Sequence, residues 1–342
     1  MALLTDHCGR TLTYLRVSLT DRCNLRCRYC MPEAGVPEIS HEEMLTFEEI
    51  ERLCGIFSQM GIRKVRFTGG EPLVRRGVLS FFASFRRRLP QLRCALTTNG
   101  ILLAPMASLL IPLGFSGVNV SLDTLNPEKY RFITRWGDLE QVFQGIKAIQ
   151  GHIPLKINTV LMRGFNEEEV GDLVRFAKEH GATLRFIEFM PLDGDVWTQD
   201  SFLSAEEIRR FFPEPESWEH EESGRTSHQG NHFSGELSPA AAGAEGDAGP
   251  AQYYRHVRTG QRVGVIAAVS AHFCQTCNRL RLSSTGELRT CLFQNQSVSL
   301  REALREGNEE LVMDLVRTAV RDKPLSWQTT RSSERHMSRI GG

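Results

Sequence analysis

The chain has 342 residues, and its 41 basic and 41 acidic side chains cancel to a formal net charge of zero. Hydrophobic residues make up 41% and charged residues 24%, a balance that excludes a collagen, a coiled coil or a largely disordered chain. Zero net charge leaves no footprint for nucleic acid or a charged membrane surface, and the longest apolar stretch, Ile101 to Phe115, is broken by Pro105 and Pro112 well short of a membrane span.

The residues up to Arg10 include Asp6 and no apolar core of signal-peptide length, so secretion is not expected. Tyr14 to Leu19 reads as a strand. Thr46 to Met60 reads as a helix, with Thr46 as N-cap and Glu49 completing a capping box. Lys64 to Thr68 is the next strand, followed by a Gly-rich loop and a helix over Val78 to Leu89. Arg93 to Thr97 and Gly117 to Ser121 read as strands, with Ile101 to Leu110 helical between them. A helix over Leu139 to Ile149 leads to a strand at Leu155 to Val160. Glu167 to Glu179 is helical, and Thr183 to Glu188 is strand. Six β units with helical crossovers predict a parallel α/β sheet. No Gly-x-Gly-x-x-Gly follows the first strand, so an incomplete or complete barrel fits better than a dinucleotide fold.

Composition shifts over Pro213 to Pro250, which is rich in Gly, Ser, Pro, Glu and Ala and reads as a flexible insertion. Its His220, His228 and His232 fit polar loop residues better than a metal site. Tyr253 to Val257, Gln261 to Val269 and Arg279 to Ser283 then read as strands of a smaller element. Leu300 to Arg305 and Glu309 to Arg321 are helical, and the polar tail from Trp327 ends in Gly341-Gly342. The expected division is 1–212, an insertion at 213–252, and a C-terminal region at 253–342.

Nine cysteines carry the chemistry. Cys8, Cys54 and Cys94 are scattered, whereas the other six form two triplets. Disulfides need pairs, so triplets point to metal sites. Cys23, Cys27 and Cys30 sit on the loop after the first strand, at the end where barrel-type sheets place catalytic loops. Three thiolates in a short loop suit an iron–sulfur cubane and leave one iron open for a small molecule. A zinc site completed by His41 is the alternative. Cys274, Cys277 and Cys291 form the second triplet, with His272 as a possible fourth zinc ligand. Arg279 and Arg281 lie beside it, and on a strand both face one side; paired guanidinia next to an open metal suit an anion such as phosphate.

The first triplet's spacing and the segment Thr68-Gly69-Gly70-Glu71-Pro72 resemble the radical S-adenosylmethionine (SAM) superfamily. Glycines there would let backbone approach a bound cofactor closely. More specifically, the chain resembles the GTP 3′,8-cyclase family, which acts in molybdenum-cofactor biosynthesis. The resemblance rests on Thr20-Asp21-Arg22-Cys23-Asn24, Cys30-Met31-Pro32, Arg66 to Pro72, Thr97-Thr98-Asn99-Gly100, Asn119 to Thr124, Lys156 to Val160, Arg185 to Met190, Phe273 to Arg281 and Gly341-Gly342.

The resemblance implies an incomplete (β/α)6-type TIM barrel whose C-terminal extension carries a second iron–sulfur cluster. It implies two 4Fe–4S clusters, with SAM at the open iron of the first, held by Tyr29, Gly70, Ser121 and Met190. It implies GTP between the clusters, contacted by Arg16, Arg66, Thr97, Lys156, Arg279, Leu280 and Arg281. Cys23, Cys27, Cys30, Arg279 and Arg281 are then the expected catalytic set. In the implied reaction a 5′-deoxyadenosyl radical removes the ribose C3′ hydrogen, and the product is 3′,8-cyclo-7,8-dihydro-GTP. Arg339 and the Gly-Gly tail are expected to reach the site.

Expected partners are a reduced flavodoxin or ferredoxin as electron donor, cyclic pyranopterin monophosphate synthase as the downstream enzyme, and a second copy in a homodimer. The expected compartment is a bacterial cytoplasm, or the mitochondrial matrix in a eukaryote. Two other readings compete: a radical SAM maturase of a peptide with an auxiliary relay cluster, and a non-enzymatic iron–sulfur or zinc protein that binds a partner.

Overall fold

The computed structural model describes residues 3–37, 39–191, 198–221 and 249–329. Strands β1 (Tyr14–Ser18), β2 (Lys64–Thr68), β3 (Arg93–Thr98), β4 (Val118–Ser121), β5 (Leu155–Leu161) and β6 (Thr183–Glu188) lie side by side in chain order, all parallel. Parallel neighbours need long crossovers, and helices α1 (Phe47–Gln59), α2 (Val78–Arg88), α3 (Leu103–Leu110), α4 (Pro127–Thr134), α5 (Leu139–Ile149) and α6 (Val170–Glu179) supply them.

Local chemistry explains the element ends. At α1 the Thr46 hydroxyl accepts from the Glu49 N–H, and the Glu49 carboxylate accepts from the Thr46 N–H at 2.8 Å, the expected capping box. Two helices go beyond the sequence reading. α4 starts at Asn126, whose side chain accepts from the N–H groups of Glu128 and Lys129, with Pro127 at the first helical position. α7 (Ala205–Arg210) starts with a capping box between Ser204 and Glu207. The core lies between sheet and helices. There Phe67 of β2 meets Phe81, Phe82 and Phe85 of α2 at centroid separations of 5.0–5.3 Å, all four rings buried.

The C-terminal strands overturn one expectation. β8 (Gln252–His256), β9 (Arg262–Ile266), β10 (Arg279–Leu282), β11 (Glu287–Arg289) and β12 (Val298–Ser299) do not form a separate smaller element. β10 pairs in parallel with β1, and β9 pairs in parallel with β6. With β7 (Trp218–His220), the described strands make one sheet in the order β12-β11-β10-β1-β2-β3-β4-β5-β6-β9-β8-β7. The physical reason is edge satisfaction: β1 and β6 would otherwise expose rows of unpaired N–H and C=O groups, and the returning chain covers both. Among the described residues no pairing joins the two ends of the sheet, so the eight parallel strands form an open, partial barrel. Helices α8 (Arg301–Arg305) and α9 (Glu309–Arg321) follow, α9 packing on β11 and β12.

The segment read as an insertion carries structure at its ends. Pro215–Ser217 is a 3-10 turn and β7 pairs antiparallel with β8, with His220 opposite Tyr254. Residues 222–248, including His228 and His232, lie outside the described residues, as do Arg339 and Gly341-Gly342. No helix among the described residues is long and apolar enough to cross a membrane.

Candidate functional site

Topology sorts the two cysteine triplets to opposite ends of the sheet. Cys23, Cys27 and Cys30 follow β1 and so lie at its C-terminal end. Cys274 and Cys277 precede β10, which runs parallel to β1 with Arg279 beside Tyr14. Cys291 follows β11, which runs back antiparallel along β10. The hairpin therefore returns Cys291 to the same end as Cys274 and Cys277, although 13 residues separate Cys277 from Cys291. A strand of five residues rising about 3.3 Å each puts roughly 15 Å between the two ends. One cavity of about 410 Å³ runs between them, and all six cysteines line it.

Between the triplets the wall is cationic. The parallel register places Arg281 beside Arg16 and Arg16 beside Arg66, one row across β10, β1 and β2. Arg279 and Lys156 line the same cavity, as does Arg185, whose guanidinium donates to the Asn158 side-chain oxygen at 2.7 and 2.9 Å. Among the described residues nine Lys and Arg side chains line the cavity against one carboxylate, Asp123. Burial lowers the Arg16 guanidinium to about 10; the nearby Tyr14 phenol opposes that shift, while Arg66 and Arg279 add to it. Arg281 is driven well below its ordinary value by burial, and then by Arg16 and Arg279. Crowded, buried cations are costly unless a polyanion joins them.

Tyr14 sits among them. Its hydroxyl oxygen accepts from the Arg66 Nε–H at 2.6 Å. Burial alone would raise the phenol, but Arg66, Arg16 and Lys64 together bring it down to about 7. Arg66 also donates to the Leu96 carbonyl at 2.7 Å and to the Thr97 hydroxyl at 3.3 Å, which fixes its direction into the cavity.

At the first triplet the environment is the reverse. Burial raises the Cys23 thiol to about 11. Burial also raises Cys27 well above its ordinary value, with Cys30, Cys23 and Asp123 adding to the effect. Such thiols ionise when a metal supplies the positive charge. The Tyr29 hydroxyl donates to Asp123 Oδ2 at 2.7 Å, holding the ring over the cavity; the carboxyl is raised to about 6 by burial, opposed by this bond and by the Val160 N–H. The loop is braced from outside by the end of α4: the Arg28 N–H donates to the Ile133 carbonyl at 2.9 Å, and the Trp136 indole donates to the Asn24 carbonyl at 2.9 Å.

The glycine pair is also demanded by packing within the chain. Gly70 lines the cavity, and both glycines approach backbone of the cysteine loop closely. A Cβ on Gly70 would stand 2.3 Å from the Arg22 carbonyl oxygen, and one on Gly69 2.4 Å from the Thr20 carbonyl oxygen. The Gly70 and Glu71 N–H groups donate to those same two carbonyls at 2.7 and 2.8 Å. The pair is thus the seat of the cysteine loop. Glu71 turns away from the cavity and ties β2 to β3. Its carboxylate accepts from the N–H groups of Leu73 and Asn99 and from the Thr98 hydroxyl, while burial pushes it up to about 7.

At the second triplet the cations dominate. Burial would raise Cys277, yet Arg279 and Lys323 bring its thiol down to about 6. Cys291 is raised by burial. Each triplet offers three sulfur donors, a set that suits an iron–sulfur cubane. His41 is exposed and does not line the cavity; His272 does line it. All nine cysteines are free of disulfides.

Every site residue expected from sequence lines this cavity except Leu280. That side chain is fully buried in the hydrophobic core. The strand alternation that aims Arg279 and Arg281 inward turns Leu280 outward. Sequence reasoning missed Tyr14, Asn99, Asn119, Asn158 and Lys323. Asn99 donates from Nδ2 to Asn24 Oδ1 at 2.7 Å, beside Cys23. Asn119 presents a buried side-chain oxygen without a protein partner at the cavity wall, the mark of an acceptor kept for a ligand. Its place at the centre of a parallel strand, where apolar residues are the rule, was the available signal.

Comparison with known proteins agrees with this geometry. Residues 17–177 match the family model described as the radical SAM superfamily, and residues 214–329 match that described as Molybdenum Cofactor Synthesis C. A protein of Heliobacterium modesticaldum named GTP 3′,8-cyclase is 42% identical, covering 99% of this chain and all of the relative. Proteins of the same name from Syntrophomonas wolfei and Paracoccus denitrificans are 41% and 40% identical, covering 99% and 100% of this chain and 100% and 96% of their own lengths. Among solved structures, that of Streptococcus suis SuiB bound to precursor peptide SuiA superposes with a TM-score of 0.50 at 17% identity, covering 60% of this chain and 46% of that chain. It shares the parallel α/β fold. With full-length relatives at about 40% identity, the chain belongs to the GTP 3′,8-cyclase family of radical SAM enzymes.

Proposed function

We propose that the chain converts GTP in molybdenum-cofactor biosynthesis by holding the nucleotide in the cavity between two 4Fe–4S clusters, one in each cysteine triplet. The observation that carries this reading is the single cavity lined by both triplets at opposite ends, with the Arg281–Arg16–Arg66 row between them.

Cys23, Cys27 and Cys30 would hold the first cluster, and Cys274, Cys277 and Cys291 the second. When bound, the first cluster and SAM supply the 5′-deoxyadenosyl radical that removes the ribose C3′ hydrogen, and the product is 3′,8-cyclo-7,8-dihydro-GTP. The remaining work falls to the chain's own groups. Arg16, Arg66, Arg279, Arg281 and Lys156 bind and orient the triphosphate, whose charge relieves their crowding. Thr97 and Asn119 offer a hydroxyl and an amide oxygen to the nucleoside. Tyr29, anchored on Asp123, covers the SAM end of the cavity together with Gly70, Ser121 and Met190. The buried walls exclude water from the reacting centre.

The electron donor of this reading is a reduced flavodoxin or ferredoxin, the next enzyme is cyclic pyranopterin monophosphate synthase, and the working unit is a homodimer. The compartment is the cytoplasm of a bacterium, or the mitochondrial matrix if the source is eukaryotic. A peptide substrate would not call for so many inward cations. Anaerobic reconstitution tests the reading: it expects about eight irons per chain, SAM cleavage on reduction, and product formation only with GTP. A chain that takes up zinc alone, or cleaves SAM indifferently to GTP, contradicts it.

A further inference from the structure

Lys323 is a charged side chain buried to 2% exposure. It follows α9, far along the chain from every strand it touches. Its Nζ donates to Cys277 Sγ at 3.7 Å, to the Arg279 carbonyl at 3.0 Å and to the Thr290 carbonyl. An ammonium has three N–H donors and no acceptor, and all three partners here are acceptors. The three partners also span both arms of the hairpin: Cys277 precedes β10, Arg279 begins it, and Thr290 precedes Cys291.

The main chain at Lys323 is itself pinned. Arg10, buried and paired with Asp6 at 2.5 Å, donates to the carbonyls of Lys323 and Pro324 at 3.2 and 2.8 Å. The same guanidinium donates to the Cys274 carbonyl at 2.7 Å. Two buried cations thus cross-brace the second triplet, Arg10 gripping its backbone and Lys323 reaching a sulfur. Neither carbonyl partner of Lys323 balances its charge, and a buried ammonium without a counter-charge is costly. Three thiolates around an iron–sulfur cluster supply that counter-charge.

We propose that Lys323 is a positioning residue for the second triplet, fixing the Cys277 sulfur and, through its charge, raising the reduction potential of the cluster held there. This rests on the reading that the second triplet binds a 4Fe–4S cluster. One-electron reduction adds a negative charge to such a cluster, and a fixed cation beside a ligand sulfur stabilises the reduced form most.

The test is a redox titration of reconstituted full-length protein, followed by electron paramagnetic resonance, with iron counted in the same samples. K323M removes the charge and keeps the bulk; K323R keeps the charge. K323M is expected to lower the midpoint of the second cluster by at least a tenfold change in its reduction equilibrium, about 59 mV for one electron. The first cluster should not move, and K323R should titrate like the unaltered protein. A normal second signal with an unchanged midpoint in K323M overturns the proposal, as does an equal shift in both variants. If K323M loses the second cluster's iron, retention of that iron by K323R supports the role of charge, and its loss from both variants overturns it. Absence of a second signal from the unaltered protein removes the two-cluster reading itself, and the proposal with it.

Discussion

Arg16 and Arg281 stand next to each other on adjacent parallel strands, register partners drawn from near opposite ends of the chain. Both line the cavity, and burial lowers both guanidinia, with Arg279 adding to the shift of each and Arg16 adding to that of Arg281. Together with Arg66 on the far side of Arg16 they form a strip that a triphosphate can span.

Truncating the two arginines of β10 should separate nucleotide binding from SAM chemistry. Arg281→Ala and Arg279→Ala are each expected to weaken GTP binding by roughly 10- to 100-fold, the value of one or two hydrogen bonds to a charged group. SAM cleavage uncoupled from GTP should stay largely intact, because both arginines lie beside the second triplet and away from the first. Equilibrium binding of GTP and 5′-deoxyadenosine release in the same preparations check this. Equal loss of both activities would contradict the assigned role.

Cys27→Ala should behave in the opposite way. It removes one sulfur of the first triplet, so SAM cleavage should be abolished. Signals from the second triplet's cluster and GTP affinity should persist, and iron per chain should fall by about half. An intact SAM cleavage rate would refute the placement of the first cluster.

Tyr14 should titrate near neutrality, its phenol held at about 7 by Arg66, Arg16 and Lys64 against the opposing effect of burial. A phenolate absorbance step centred near pH 7 is expected in the ligand-free protein and absent from Tyr14→Phe. Inorganic triphosphate should move that step to higher pH, since an anion on the same arginines cancels the field that ionises the phenol. A step that triphosphate leaves in place would show that the anion binds elsewhere.

Much of this was legible in sequence. Lys64–Thr68, Leu139–Ile149, Thr183–Glu188 and Glu309–Arg321 have the bounds that their periodicity predicts. Both cysteine triplets were visible from spacing and Arg279 and Arg281 from strand alternation, whereas Arg16, Arg66 and Lys156 came from the family resemblance. What sequence could not carry is pairing between distant segments. Nothing in Arg279–Leu282 announces that it will lie against Tyr14–Ser18, so the C-terminal strands looked like a unit of their own. Lys323 was invisible for the same reason, since its meaning depends on a sulfur 46 positions away. The short helices α4 and α7 did have signals, Asn126-Pro127 and the Ser204 capping box, but too few apolar residues to raise a periodic pattern.

Glu71 gives a pH dependence of known sign. Burial raises its carboxyl from an ordinary 4.5 to about 7, so between those values the folded chain binds more protons than the unfolded one. Its contribution to stability should therefore be full below about pH 4.5 and be lost as pH rises through 7, by up to about 3 kcal/mol. Asp123, raised to about 6, acts in the same direction. Urea unfolding of the metal-free chain between pH 5 and 8 measures the slope. Glu71→Gln should start less stable, having lost its bond to the Asn99 N–H, and should show a flatter slope. An unchanged slope would mean that its three donors hold the carboxylate ionised.

Gly70→Ala tests the seat of the cysteine loop. Its new methyl group would overlap the Arg22 carbonyl, so the loop must move. A loss of about 1–3 kcal/mol is expected, as for overpacking generally, with iron uptake at the first triplet falling more steeply than at the second. Normal iron content and SAM cleavage in this variant would show that the contact is dispensable.

The central claim is that two iron–sulfur centres, each open at one iron, face one cavity from its two ends. Electron paramagnetic resonance of the reduced, reconstituted protein tests it most directly. Two distinct signals are predicted, one altered only by SAM and the other only by GTP. A single signal, or two signals that neither ligand perturbs, would contradict it.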